Sequence, residues 1–261
     1  MSKNNQIHQV VQETYAQIAK NSGHCCPPAM TSCCTAQPLK IDSTRLGYSS
    51  VELAELPTQV DLGLGCGHPL AAAALQSGEV VLDLGSGAGI DCFLASSTVG
   101  PHGYVIGVEM TPAMLHQARE AAEHQGYSNV EFRLGEIEHL PVADNSIDVI
   151  VSNCVINLSP DKAQVFREAF RVLKPNGRLA LSDVVAYTEL PSELFNDSGL
   201  YCSCIGGAVT ATILRELLVK TGFTQVSITL QESSREFIKD WAPGRNVEDY
   251  VVSAIIEARK I

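Results

Sequence analysis

The chain has 261 residues, with 18 lysines and arginines against 29 aspartates and glutamates, which gives a formal net charge of -11. A hydrophobic share of 45% beside 18% charged residues excludes a chain kept disordered by charge repulsion, and the acidic balance disfavours nucleic acid as a partner. The first residues are polar and no apolar run approaches the roughly 20 residues of a membrane span, so we expect a cytoplasmic protein without a signal peptide or membrane anchor.

The chain opens with apolar residues at helical intervals, among them Ile7, Val11, Tyr15 and Ile18. Polar residues fill the positions between them, so the segment is predicted to be an amphipathic helix. Such a helix must bury its apolar side, and we therefore expect it to dock on the rest of the protein.

Residues 21–37 are rich in Gly, Pro, Ser, Thr and Cys, which is typical of a loop. They contain two adjacent cysteine pairs, Cys25 with Cys26 and Cys33 with Cys34. Neighbouring cysteines do not easily form an unstrained disulfide with each other, so a partner across the loop or a captured metalloid is favoured over an incidental cysteine-rich linker. Nine cysteines in a reducing compartment indicate metal, metalloid or redox chemistry rather than a disulfide framework.

From residue 79 onward, short apolar runs alternate with amphipathic helical stretches. This alternation predicts an α/β fold with a doubly wound, mainly parallel sheet. The runs predicted as strands are VVLDLG, YVIGVEM, VEFRLGE, IDVIVSN, RLALSDVVA, VSITLQ and YVVSAIIEAR. We expect a helical, cysteine-rich extension over 1–44, a cofactor-binding domain over 45–185, and a substrate-binding part over 186–261 whose last strands complete the sheet.

A glycine-rich turn, DLGSGAG, follows the first predicted strand, and the second strand ends in an acidic residue. Nucleotide-like ligands bind at this edge of such a sheet, where glycines let the ligand approach the main chain and a carboxylate accepts both hydrogen bonds of a ribose diol. For an isolated glycine motif, a tight turn without a ligand is the alternative. The candidate cofactor residues here are Asp83, Gly85, Ser86, Gly87, Gly89, Glu109 and Met110.

Two features favour S-adenosylmethionine over a dinucleotide as the ligand of this turn. Asp83 can reach the methionine moiety but would crowd the pyrophosphate of a dinucleotide. After the third strand, Ile137 can lie against a purine, and Glu138 can accept a hydrogen bond from its exocyclic amine; a solvated loop charge is the alternative for Glu138. Asn153, at the end of the fourth strand, is a further candidate.

The strings VLDLGSGAG, GVEM and RVLKPNGRL, within residues 79–185, resemble the motifs of the class I S-adenosylmethionine-dependent methyltransferases. This resemblance implies S-adenosylmethionine as the cofactor and a Rossmann-like fold. It says nothing about the substrate, because one fold serves many chemistries.

Three cysteines lie in segments expected to meet at the same edge of the sheet. Cys154 follows the fourth strand, and Cys66 and Cys204 lie in glycine-flanked loops. Three converging thiolates form a soft site, and trivalent arsenic suits it because arsenic takes three sulfur ligands in a pyramid and keeps a lone pair as the nucleophile. Taken alone, Cys154 could also be a small buried hydrophobic residue.

The strings GCG around Cys66, SNCVINLSPDK around Cys154 and CIGGA around Cys204 closely resemble the arsenite S-adenosylmethionine methyltransferases. This resemblance implies that the three cysteines are the catalytic and arsenic-binding thiols, with an N-terminal cysteine such as Cys33 or Cys34 taking part in binding or disulfide exchange. It also implies arsenite and methylarsenite as substrates, arsenic detoxification as the role, and thioredoxin or glutathione as the reductant.

Two cysteines remain, and two other functions stay open. Cys92 is expected to be buried, and Cys202 is either an auxiliary thiol or structural. A small-molecule carbon or oxygen methyltransferase, for instance of quinones, would need neither Cys154 nor Cys204. A soft-metal binding protein without enzymatic activity would be expected to lack the intact cofactor turn.

Overall fold

The structure is a computed structural model that describes residues 3–21, 41–57, 59–195 and 197–261. Within these residues seven strands form one sheet: β1 (Val80–Leu84), β2 (Tyr104–Glu109), β3 (Val130–Leu134), β4 (Ile147–Asn153), β5 (Leu173–Ala186), β6 (Thr224–Gln231) and β7 (Val251–Arg259). The strand order is β3-β2-β1-β4-β5-β7-β6. The first five strands are parallel, and β7 is antiparallel to both its neighbours. The predicted doubly wound, mainly parallel sheet is confirmed. The predictions for Cys25, Cys26, Cys33 and Cys34 lie outside the described residues.

The helices of the described residues are α1 (Lys3–Asn21), α2 (Ser50–Ala54), α3 (Pro69–Ala73), α4 (Ile90–Val99), α5 (Pro112–Gln125), α6 (Lys162–Val172), α7 (Ser192–Phe195), α8 (Ser198–Cys202), α9 (Ala211–Thr221) and α10 (Arg235–Ile238). Helices α4, α5 and α9 each end at a glycine with a positive φ, and the glycine N–H donates to a carbonyl of the last helical turn. These glycines are Gly100, Gly126 and Gly222. None of the helices in this part of the chain has the length and apolar character needed to cross a bilayer.

The two faces of the sheet bury two separate hydrophobic cores. Successive strand residues point to opposite faces, so Leu82 packs in the core that contains α6 and α9, whereas Val81 packs in the core that contains α4 and α5. Both residues are fully buried. The carboxyl ends of the parallel strands therefore lie together at one edge of the sheet, and helices pack on both sides of it.

A third cluster covers this carboxyl edge, and the predicted N-terminal helix belongs to it. Val11 of α1 is 1% exposed, and Ile7 and Tyr15 pack against the same cluster. The Gln12 side chain donates to the carbonyl of Met110 at 2.8 Å, which ties α1 to the end of β2. The docking predicted for an amphipathic helix is confirmed, and the surface it covers is the edge where the predicted site lies.

Candidate active site

The turn between β1 and α4 is shaped by three glycines with positive φ. A Cβ at Gly85 would lie 2.5 Å from the Val155 side chain, and one at Gly89 would lie 2.7 Å from the Phe132 ring, so packing excludes side chains there. Gly87 differs, because a Cβ at this position would have no neighbour within 4 Å among the described residues. Gly87 thus borders open space, where a ligand can approach the main chain.

Two predicted acidic residues flank this turn. The Glu109 carboxylate accepts hydrogen bonds from the amides of Gly87 at 3.1 Å and Thr111 at 2.6 Å, and these bonds orient it, although burial raises its pKa. Burial, together with the negative charge of Asp91, raises the pKa of Asp83 well above its usual range. Clustered buried carboxyls favour a ligand that carries positive charge, such as an ammonium or sulfonium, over a pyrophosphate.

Cys92 lies beneath the turn and is fully buried, as predicted. Its thiol donates to the Asp83 carboxylate at 3.3 Å. Burial, with the nearby charge of Asp83, raises the pKa of Cys92 well above its usual value, so the residue stays a neutral donor. Cys92 therefore contacts Asp83, one of the predicted cofactor residues.

A buried hydrogen-bond network joins the glycine-rich turn to the loop that carries Cys66. The Tyr48 hydroxyl donates to Asp91 at 2.9 Å, and the Asn153 amide donates to the Tyr48 oxygen at 2.9 Å. The same Asn153 side chain donates to the Gly67 carbonyl at 2.7 Å and accepts from the Cys66 amide at 3.0 Å. Asn153, predicted as a cofactor residue, thus also holds the Cys66 loop.

Tyr48 and Asp91 were not predicted from the sequence. Asp91 lies in the first turn of α4, two positions after Gly89, so its closeness to the glycine-rich turn was a usable signal. Tyr48 lies in a turn-rich segment without periodicity, which carries no such signal. Burial raises the pKa of Asp91 to about 7, so its charge is sensitive to conditions near neutrality.

Ile137 and Glu138 are buried at the same edge, with 8% and 5% exposure. His8 of α1 lies with its Nε2 3.0 Å from the Glu138 carboxylate, and the Ser159 hydroxyl also donates to it. The alternative of a solvated loop charge at Glu138 is therefore wrong. His8 was not predicted, because helical periodicity shows that a helix docks but not which side chains it brings to the site.

One cleft of about 1350 Å³, including its open mouth, unites the two halves of the site. Of the predicted cofactor residues only Gly89 does not line it, and Cys154 and Cys204 line it as well. Cys66 lies behind its wall, whereas the neighbouring Gly65 faces the cleft. The cleft also has an aromatic lining from Tyr15 and Trp241.

The three predicted thiols lie together and are buried. The sulfur atoms of Cys66 and Cys154 are within 4.8 Å of each other, and the Cys204 thiol donates to the Cys154 carbonyl at 2.7 Å. Interaction with the thiols of Cys204 and Cys66, together with burial, raises the pKa of Cys154 well above its usual value. Cys154 therefore stays a neutral thiol near pH 7, and the other two thiols both interact with it.

Cys154 and Cys204 both adopt left-handed backbone conformations, with φ of 59° and 62°. This conformation costs about 1–2 kcal/mol for a residue with a Cβ. The loops that carry the two cysteines also pack closely: a Cβ at Gly207 would lie 1.9 Å from the carbonyl oxygen of Asn157, so the two loops touch through their backbones. Strain of this kind is typical of functional sites.

Cys202 also lines the cleft, but its sulfur contacts α1 rather than the three predicted thiols. It ends α8, and its sulfur is 3.5 Å from the Thr14 hydroxyl of α1, while the Tyr15 hydroxyl donates to its carbonyl at 3.3 Å. The segment is helical rather than extended, so Cys202 and Cys204 do not share a face. These contacts favour a structural role for Cys202 at the α1–α8 interface.

The Cys66 loop packs tightly against β5. A Cβ at Gly67 would lie 2.2 Å from the Ser182 hydroxyl oxygen. Gly67→Ala should therefore displace the loop and lower stability by about 1–3 kcal/mol, with a fall in melting temperature of about 2–4 °C per kcal/mol. Thermal melts measure this loss. Adding Ser182→Ala removes the clashing oxygen and should restore most of the loss; a double variant as impaired as Gly67→Ala would contradict this account.

Comparison with known proteins agrees with this arrangement. A methyltransferase domain family matches residues 75–222. An arsenite methyltransferase of Halobacterium salinarum is 48% identical over 98% of this chain and 67% of its own length, and one of Aquipseudomonas alcaligenes is 43% identical over 84% of this chain and 62% of its own. The chain thus spans about two thirds or less of the length of these relatives.

A solved structure is also similar to this chain. The arsenic(III) S-adenosylmethionine methyltransferase of Chlamydomonas reinhardtii matches with a TM-score of 0.66 and 36% identity, over 80% of this chain and 71% of that one. The cleft, its acidic lining and the cofactor turn fit S-adenosylmethionine, the cofactor of this group of enzymes. The chain therefore belongs to the arsenite methyltransferase family of S-adenosylmethionine-dependent methyltransferases.

Proposed function

We propose that this chain transfers the methyl group of S-adenosylmethionine to trivalent arsenic held by Cys66, Cys154 and Cys204. The observation that carries the proposal is that two of these thiols line the same cleft as the glycine-rich turn, with the third directly behind its wall. A quinone methyltransferase would have no use for such a cluster, and a purely binding protein would have no use for the turn.

Arsenic binding is well matched to a group of buried thiols. Arsenous acid is itself neutral near pH 7, and three thiols displace its three hydroxyl groups, so that three As–S bonds form and three molecules of water leave. No net charge is buried in this exchange, which suits a site where the pKa of the Cys154 thiol is raised. A third sulfur completes the pyramid and directs the lone pair away from the thiols.

The protein's contribution to the transfer is orientation and exclusion of water. When bound, S-adenosylmethionine supplies an electrophilic methyl group on a positively charged sulfur. The strained loops of Cys154 and Cys204 fix the arsenic, and helix α1 covers the cleft through Val11 and Tyr15. With S-adenosylmethionine held beside the glycine-rich turn by Asp83 and Glu109, its methyl group would pass to the arsenic lone pair, and an As–C bond would replace the bond from that methyl group to sulfur.

Arsenic leaves this step formally pentavalent, and two electrons restore the trivalent state. A pair of thiols supplies them and becomes a disulfide, so each round consumes reductant. We assign this role to thioredoxin or glutathione in the cytoplasm, and we assign arsenite and methylarsenite as successive substrates. Cys33 and Cys34 remain the candidates for a further N-terminal thiol.

Incubation with S-adenosylmethionine, arsenite and a thiol, followed by arsenic speciation, tests the function directly. Methylated arsenic in amounts that match the S-adenosylhomocysteine formed is the expected result. S-adenosylhomocysteine without methylated arsenic, or no product under any reductant, would argue against it.

Cys66→Ser tests whether the site has three thiols or two. Arsenite needs a third ligand, whereas methylarsenite already has a methyl group in that position. We therefore expect the variant to lose about 10-fold or more in kcat/KM on arsenite but under about 3-fold on methylarsenite. Rates on both substrates, each with weak and with strong reductant, check this. Equal losses that strong reductant rescues would instead make Cys66 an electron carrier.

A further inference from the structure

A carboxylate accompanies the thiols, and the arsenic chemistry does not use it. Asp183 of β5 is 3% exposed, and one of its oxygens lies within 4.8 Å of the sulfur atoms of Cys66 and Cys154, which are equally close to each other. Cys204 is not part of this mutually close set. Two overlapping ligand sets therefore meet at Cys66 and Cys154: one completed by a sulfur, the other by an oxygen.

We propose that Cys66, Cys154 and Asp183 form a binding site for a thiophilic divalent cation, zinc or cadmium, which excludes arsenic when it is bound. Cation binding stands on this ligand set alone; only the competition with arsenic rests on the proposed function. On binding, the two thiols release their protons to solvent, and the cation forms two bonds to sulfur and one to a carboxylate oxygen.

The donor set and its spacing suit such a cation. Zinc binds thiolate sulfur at about 2.3 Å and carboxylate oxygen at about 2.0–2.2 Å, which places neighbouring ligands about 3.6 Å apart in a tetrahedron. The three ligand atoms already lie within 4.8 Å of one another, so they need to close by only about 1 Å. Rotation of the Cys66 side chain can supply this movement while its loop stays packed against β5.

Asp183 is held in the manner of a metal-binding carboxylate. It accepts hydrogen bonds from the amide of Ile156 at 2.8 Å, the amide of Val184 at 2.7 Å and the side chain of Asn157 at 2.8 Å. Partners of this kind orient a ligand oxygen before the cation arrives. Two of these donors, Ile156 and Asn157, lie on the loop that follows Cys154, so carboxylate and thiol are fixed to one another.

The cation complex and the arsenic complex differ in net charge. Two thiolates and a carboxylate around a divalent cation leave a net charge of one negative unit, whereas three thiolates on trivalent arsenic leave none. The Lys162 ammonium lies close enough to Asp183 to interact with its charge, and it offsets the negative unit. Arsenic, a soft acceptor, has no comparable use for the hard carboxylate oxygen.

Cadmium is the probe, because its thiolate complexes absorb in the ultraviolet. The experiment uses the whole 261-residue chain with Cys25, Cys26, Cys33 and Cys34 replaced by serine, because these thiols would otherwise also bind cadmium and contribute to the absorbance. We expect one cadmium per chain. Asp183→Asn should weaken cadmium binding about 10-fold or more and leave arsenite binding within about 3-fold, and Cys204→Ser should do the reverse. Cadmium should displace arsenite from the parent chain.

Cadmium affinity unchanged in Asp183→Asn, or lost in Cys204→Ser, would overturn the proposed ligand set. X-ray absorption at the cadmium edge of the loaded parent needs no variant, so it decides the matter even if Asp183→Asn does not fold. Two sulfur neighbours with oxygen support the site, and three sulfurs without oxygen contradict it. Both measurements omit S-adenosylmethionine, so failure of the methyl transfer would leave their outcome unaffected.

Discussion

Cys154→Ser should abolish methylation of both arsenite and methylarsenite, with losses of about 100-fold or more in kcat/KM. Cys154 is the thiol with which the other two interact, and its pKa is raised by both of them. Serine is nearly isosteric, but its hydroxyl is a hard, protonated oxygen that does not replace a soft sulfur ligand. Methylarsenite has only two positions left for sulfur, so it depends on Cys154 as much as arsenite does.

Cys202→Ser is the matched control for this experiment. It makes the same chemical change at another buried cysteine, one whose sulfur faces Thr14 of α1 rather than the thiol group. We expect its activity to stay within about 3-fold of the parent, because a hydroxyl can keep the contact with the Thr14 hydroxyl. A Cys154→Ser variant that turns over methylarsenite at the parent rate would show that the two-thiol core is wrongly assigned.

Gly87→Leu should weaken S-adenosylmethionine binding by about 10-fold or more, which corresponds to about 1.4 kcal/mol. A side chain at Gly87 meets no protein atom within 4 Å among the described residues, so it would project into the cleft that the cofactor needs. The Gly87 amide also donates to Glu109, and a shifted turn would misplace this carboxylate. Calorimetric titration with S-adenosylmethionine measures the loss.

Gly126→Leu is the control that distinguishes obstruction of the cleft from backbone strain. Gly126 ends α5 with a φ of 72°, close to the 54° of Gly87, and its Cβ would also have free space. Both variants therefore carry a similar strain of about 1–2 kcal/mol, but only one blocks the cleft. Equal cofactor affinity in Gly87→Leu and Gly126→Leu would remove Gly87 from the cofactor site, and arsenite binding should survive in both.

The order of elements and the cofactor turn could be read from the sequence, because both are local properties. Alternating apolar runs specify strands and helices over five to fifteen residues, and DLGSGAG specifies a turn whose glycines are needed for backbone reasons. The thiol strings are also local, so three cysteines could be named as candidates. Cys92 was predicted to be buried for the same reason, since it lies on an apolar helix without flanking glycines.

Only the tertiary structure decided which side chains meet. Cys66 and Cys154 are 88 positions apart in the chain, and their approach depends on Asn153, whose amide bridges the two segments. Glu138 became a buried partner of His8 because helix α1 covers it, and Asp183 joined the thiols because β5 lies beside β4. Periodicity determines which face of an element is buried, whereas contacts between loops depend on packing across the whole sheet edge, and no local pattern encodes that.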